Sequence, residues 1–109
     1  MCIFCDIINK KSPAKILYED DEMIAFPDIN PSAPVHILII PKKHIKSANE
    51  LKAEDQALLG KMVLTAKKLA KENKIDQSGY RLVINTGKDS GQIIEHLHLH
   101  LLGGKKLGF

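Results

Sequence analysis

Much that would suggest a specialised environment is missing from this 109-residue sequence. No apolar run approaches the roughly 20 residues needed to span a bilayer as a helix, so no membrane partner is expected. The opening stretch MCIFCDIINKK lacks the charged n-region, apolar h-region and small-residue cleavage site of a secretory signal. Cysteine occurs only twice, at Cys2 and Cys5, which is too few and too local for the disulfide framework of a small secreted domain. A cytoplasmic location is expected. Charge of one sign is lacking as well. The formal net charge is +3, and Lys42–Lys43, Lys67–Lys68 and Lys105–Lys106 are spaced out with acids between them. That reads as a solvated surface and gives no stripe for nucleic acid. No linker, internal repeat or low-complexity tract interrupts the chain. What is left is a globular composition, 44% hydrophobic and 27% charged, long enough for a single domain, residues 1–109, with one modest core.

The most informative stretch lies near the C-terminus, where His96, His98 and His100 alternate with Leu97, Leu99 and Leu101. Alternate side chains of a β-strand point to opposite faces. A strand here puts three imidazoles on one face, about 6.5–7 Å apart, and three leucines on the other. The leucine face suits a core and the histidine face suits a cleft.

Around this segment the periodicities outline an α+β domain. Cys2 to Asn9 brings Ile3, Phe4, Ile7 and Ile8 to one side of a short opening helix. Lys15–Glu19 and Met23–Pro27 read as a hairpin across Asp20–Glu22. Pro31 and Pro34 impose an irregular loop, and Val35–Ile40 is a β-branched strand with His36 near its start. From Ala53 to about Asn73, Leu58, Leu59, Met62, Val63, Ala66, Leu69 and Ala70 mark an amphipathic helix of roughly five turns. Tyr80–Asn85 is a further strand and Thr86–Gly91 a polar loop.

Imidazole changes charge near neutrality, and it can attack phosphorus or donate a hydrogen bond to a phosphoryl oxygen. Three in a row permit a division of labour in which the central ring attacks while its neighbours orient it or stabilise charge. Metal coordination is the other use of such a row. Cys2 and Cys5 have the C-x-x-C spacing of half a zinc site, and His44 and His96 are candidates to complete it; two reduced thiols with no ligand role are the plainer alternative. Gly87-Lys88-Asp89-Ser90-Gly91 is not a phosphate loop of the GxxxxGK[ST] type, although Gly91 could let backbone N–H groups approach an anion.

Taken together these residues resemble the histidine triad (HIT) family, particularly its Hint branch. The pattern His-φ-His-φ-His-φ-φ is met by His96-Leu97-His98-Leu99-His100-Leu101-Leu102, and the resemblance covers nearly the whole chain. It implies a HIT-like fold, with an antiparallel sheet, one long helix and a short N-terminal helix, in a two-fold homodimer. It also implies hydrolysis of purine nucleoside phosphoramidates at the α-phosphate through a nucleotidyl-histidine, with no cofactor needed for the chemistry. By position, His98 matches the nucleophile, His100 a phosphate contact, and His36 the residue that orients the central ring. Asp28 matches the ribose-binding acid. Ile29, Phe4, Ile7, Phe26 and Leu38 match the base pocket, and Asn85 and the backbone of Gly91 and Gln92 the phosphate-side contacts. In some bacterial relatives positions matching Cys2, Cys5, His44 and His96 hold a structural zinc ion. The chain departs from the pattern at Ile93, where a serine is usual, at Glu95, often aromatic, and in ending without the Trp-Pro-Pro-Gly tail of the animal proteins. ADP or a dinucleoside polyphosphate as substrate, and a regulatory module that binds nucleotide with little turnover, are the rival readings.

Overall fold

The computed structural model describes residues 2–108. Two helices and five strands follow one another as α1 (Ile3–Ile8), β1 (Tyr18–Glu19), β2 (Met23–Pro27), β3 (Val35–Pro41), α2 (Gln56–Glu72), β4 (Tyr80–Val83) and β5 (Leu99–Gly103). The strands form one sheet in the order β1-β2-β3-β5-β4, antiparallel throughout. The expected α+β class, sheet, long helix and short N-terminal helix are all present. No helix among the described residues is long and apolar enough to cross a membrane.

The central strands are buried on both faces, which is why β2 and β3 read as continuous apolar runs. On one face Met23, Ala25, Ile37, Ile39, Leu99 and Leu101 pack against Leu58, Met62, Ala66 and Leu69 of α2. On the other, Ile24, Phe26, Leu38 and Ile40 pack under Phe4 and Ile7 of α1. His36 and His100 belong to this second face by the parity of their strands, since Leu38 pairs directly with His100.

Several boundaries differ from those read in the sequence. The long helix is preceded by a separate 3₁₀ turn at Ala53–Asp55. Its expected apolar stripe is also too wide, because Val63 is exposed and Leu59 only partly buried. In α1, Ile3 points outward while Phe4, Cys5 and Ile7 are buried. β1 and β4 are shorter than expected, at Tyr18–Glu19 and Tyr80–Val83.

The expected histidine strand begins only at Leu99. The β3–β5 register would place Leu97 opposite Pro41. Proline has no N–H to continue the ladder, and the Pro41 carbonyl already accepts from the His96 ring at 2.8 Å. The face alternation nevertheless persists through the unpaired residues, with Leu97 in the α2-side core and His96 and His98 buried beneath Phe4.

Candidate functional site

His36 on β3 and His100 on β5 stand side by side, with His36 Nε2 at 2.9 Å from His100 Nδ1. The direction of that bond follows from the loop before β3. Pro31 and Pro34 hold this loop irregular, and the Ser32 N–H donates to His36 Nδ1 at 3.0 Å. His36 Nδ1 must therefore accept, so the ring carries its proton on Nε2 and donates it to His100 Nδ1. His100 is left protonated on Nε2, an atom that is buried and has no hydrogen-bond partner among the described residues. A buried donor without a partner costs about 1–3 kcal/mol. An acceptor that reached it would relieve that cost.

Burial holds both rings neutral. His100 is lowered to about 4, first by burial and then by the neighbouring His98 and His36, with Asp28 opposing. His36 is lowered by burial, partly offset by the Asp28 carboxylate. These rings act as directed dipoles and not as cations.

His98 is oriented from a different side. Its Nδ1–H donates to the His96 carbonyl at 2.7 Å, which leaves the Nε2 lone pair free to act as a nucleophile. His36, expected to orient this central ring, instead contacts His100, and the backbone of His96 does the orienting. The edge of Phe4 meets His98, with ring centroids 5.1 Å apart. His98 and His100 lie 4.8 Å apart, centroid to centroid.

The residues matched to substrate binding divide into two groups. Phe4, Ile7, Phe26 and Leu38 share one buried cluster on the histidine face, where they are core residues. Asp28 is at the rim, with Oδ2 at 3.5 Å from His36 Nε2 and Oδ1 accepting the Asn30 N–H at 2.8 Å. Ile29 is 91% exposed, so it contributes to no closed pocket within this chain. Asn85 is half-buried just beyond β4. Gly91 closes a 3₁₀ turn at Lys88–Ser90 with φ +93°, a backbone state that suits glycine. The Gln92 side chain is already engaged, within its own loop and with the segment after β3. It donates to the Lys46 and Ile94 carbonyls and accepts from the Gly87 N–H at 2.8 Å. It braces that loop, and the expected phosphate-side contact is one of the Gly91–Gln92 backbone, where the Gln92 N–H donates to the Gly87 carbonyl at 3.3 Å. Ile93 is 90% exposed, and Glu95 faces solvent in an ion pair with Lys46.

Cys2, Cys5, His44 and His96 come together from α1, the loop after β3 and the segment before β5, with their ligand atoms all within 4.8 Å of one another. The Sγ–Sγ separation is 3.3 Å. The four sulfur-to-Nδ1 separations are 3.2, 3.4, 3.6 and 3.9 Å. A tetrahedral zinc ion with bonds of about 2.3 Å to sulfur and 2.0–2.1 Å to nitrogen has edges of roughly 3.3–3.8 Å. The donor set therefore fits a zinc-sized ion. The outer contacts fit as well, because His96 donates Nε2–H to the Pro41 carbonyl and so presents a bare Nδ1 to the thiols.

Two groups that the sequence reading did not single out help to build the site. Both the Ser32 N–H and the Pro41 carbonyl are backbone atoms, which no side-chain motif reports. Pro31 and Pro34 mark the loop but not the direction of its amides.

Comparison with known proteins follows the same lines. A family model described as "Scavenger mRNA decapping enzyme C-term binding" matches residues 1–108. A purine nucleoside phosphoramidase from Escherichia coli is 47% identical over 106 residues, which cover 97% of this chain and 89% of that protein. The crystal structure of a HIT family hydrolase from Legionella pneumophila is similar with a TM-score of 0.98 and 45% identity, covering 100% of this chain and 97% of its own. A zinc-bound histidine triad family protein from Mycobacterium smegmatis is similar with a TM-score of 0.84 and 33% identity, covering 99% of this chain and 80% of its own.

Proposed function

Because the chain belongs to the histidine triad (HIT) family, we propose that it is a nucleotide hydrolase that cleaves purine nucleoside phosphoramidates to the nucleoside monophosphate and an amine. The observation that carries this reading is the opposite protonation of two adjacent rings. His98 offers a lone pair at Nε2, and His100 offers an unpartnered Nε2–H.

In this reading His98 Nε2 attacks the α-phosphorus and the phosphorus–nitrogen bond of the substrate breaks. The nitrogen leaves as the amine with a proton taken from solvent, which the water of the second step returns. His100 Nε2–H donates to a non-bridging phosphoryl oxygen as charge develops there. Water then attacks the nucleotidyl-histidine, giving the monophosphate and restoring His98. The net reaction consumes one water and needs no cofactor. Phe4, Ile7, Phe26 and Leu38 supply the apolar wall for the base, and Asp28 Oδ2 at the rim is placed to accept from ribose hydroxyls. The Cys2–Cys5–His44–His96 cluster holds a structural zinc ion to one side of the chemistry. Thiol ligands need a reducing compartment, so we place the protein in the cytoplasm.

We take the working unit, residues 1–109, to be half of a homodimer. β4 is an edge strand with an unpaired side. Val63 and Leu64 of α2 and Ile84 just after β4 expose apolar surface, which a second copy would cover. Release of AMP from an adenosine phosphoramidate tests the activity, with ADP and a diadenosine polyphosphate run in parallel. Turnover of the phosphoramidate above the other two supports the reading, and AMP binding without turnover of any substrate contradicts it.

A further inference from the structure

His96 faces three ways at once. Its Nδ1 points at both thiols, its Nε2–H donates to Pro41, and its carbonyl accepts from His98 Nδ1. We propose that the Cys2–Cys5–His44–His96 cluster, once it holds a metal, sets the position of His98 and of the Phe4 wall, so that metal and nucleotide bind cooperatively. This rests on the nucleotide reading of the histidine face given above.

Apart from side-chain packing, few bonds hold these parts. Residues 96–98 lie outside the sheet, since β5 begins at Leu99. Besides the core packing of Leu97, their tethers are the His96–Pro41 bond, a bond from the Leu97 N–H to the Ile45 carbonyl at 2.6 Å, and the contacts of His96 Nδ1 with sulfur. Sulfur–nitrogen contacts of 3.4 and 3.6 Å are weak hydrogen bonds at best, but they become firm when both atoms ligate one ion. α1 is held by the packing of Phe4, Cys5 and Ile7 on its buried side. Six residues cannot sustain a helix alone, because nucleation costs more than so few bonds return.

Phe4 lies between the two cysteines in sequence, and its ring is edge-on to both His96, at 5.9 Å, and His98, at 5.1 Å. A metal held by Cys2, Cys5 and His96 therefore ties the helix that carries the base wall to the residue whose carbonyl aims the nucleophile. His96 is thus a positioning residue, acting through its backbone while its ring ligates.

Linkage makes the coupling reciprocal. If the metal tightens AMP binding by some factor, AMP tightens metal binding by the same factor. Couplings of this kind are typically 5–150-fold, and we expect about tenfold. The test uses the whole protein, zinc-loaded and chelator-stripped, with AMP affinity measured by calorimetry on each form. Zinc affinity is then measured by chelator competition with and without AMP. In a cobalt(II)-loaded sample the visible d–d bands of the cluster should shift when AMP is added, a change that a merely structural clip would not show. That measurement needs no stripped protein, so it stands even if the metal-free form unfolds. Phe4→Leu should keep one zinc per chain yet lose most of the AMP dependence of zinc affinity. Equal AMP affinity in both forms with unmoved cobalt bands would overturn the coupling alone and leave the nucleotide reading intact. Failure to bind one metal per chain also overturns the coupling. AMP bound by neither form would remove the nucleotide reading and the coupling with it.

Discussion

His36 Nε2 and His100 Nδ1 lie 2.9 Å apart, and the Ser32 N–H on the far side of His36 decides which of them carries the proton. A backbone amide on a proline-shaped loop thereby fixes the tautomer of a ring two hydrogen bonds away. The unpartnered Nε2–H of His100 is the end of that chain.

Breaking the chain at its middle should lower turnover more than binding. His36→Ala leaves both the Ser32 N–H and His100 Nδ1 without partners, at about 1–3 kcal/mol for an unsatisfied buried group. With His100 no longer held in the donating tautomer, kcat on phosphoramidate hydrolysis should fall by as much as roughly 10²-fold. His36→Gln, which can still donate to His100, should recover part of the loss. Steady-state kinetics on the two variants check this, and an unchanged kcat in His36→Ala would exclude the relay.

Acid should destabilise the protein through the same pair. The His100 ring titrates at about 4 in the folded chain, against an ordinary value of 6.5. On acidification the unfolded chain takes up this proton first, so the stability present above pH 6.5 falls away as the pH drops towards 4. His36 is shifted in the same direction and adds to the slope. Thermal unfolding midpoints measured from pH 7 to pH 4 should decline, and the decline should be shallower in His100→Gln.

Much of this arrangement was legible in the sequence and some of it was not, for physical reasons. Alternation with period two put His96, His98 and His100 opposite the leucines whatever their hydrogen bonding, and that assignment of faces holds. Where β5 begins depended on Pro41, 58 residues before Leu99, and no local pattern could report it. The C-x-x-C spacing marks Cys2 and Cys5 as half a metal site and leaves His44 and His96 as candidates, but only the fold shows the four together, since ligands so far apart in the chain have no diagnostic spacing. Ile29 matches by position, but a position does not reveal that its side chain stands in solvent. The relay through Ser32 was invisible because its donor is backbone.

A side chain at the end of β5 would be crowded by Ile75. A Cβ on Gly103 would lie 2.6 Å from Ile75 Cδ1 and 3.3 Å from Ile75 Cβ. Gly103→Ala should therefore destabilise the fold by about 1–3 kcal/mol, the usual cost of overpacking. Denaturant titration measures this directly. A neutral result would mean that the loop carrying Ile75 yields freely.

The apolar surface of α2 gives the expectation for assembly. Leu64 is 64% exposed and Val63 46%, so a charge at Leu64 should cost an isolated chain less than about 0.5 kcal/mol. Leu64→Glu should convert a dimer into a monomer in sedimentation experiments while leaving the unfolding of the dilute chain nearly unchanged. A wild type that sediments as a monomer at micromolar concentration would exclude the dimer.

The central claim is that His98 Nε2 becomes covalently bonded to the nucleotide phosphorus. Its most direct test is intact-mass analysis of protein quenched in acetonitrile, at neutral pH, during turnover of an adenosine phosphoramidate. The account predicts a population heavier by one adenylyl group, localised to His98 by peptide mapping. That population should be absent in His98→Ala, whose turnover should fall by a factor on the order of 10³ or more while AMP still binds. Full turnover in His98→Ala, or an adduct on another residue, would contradict it.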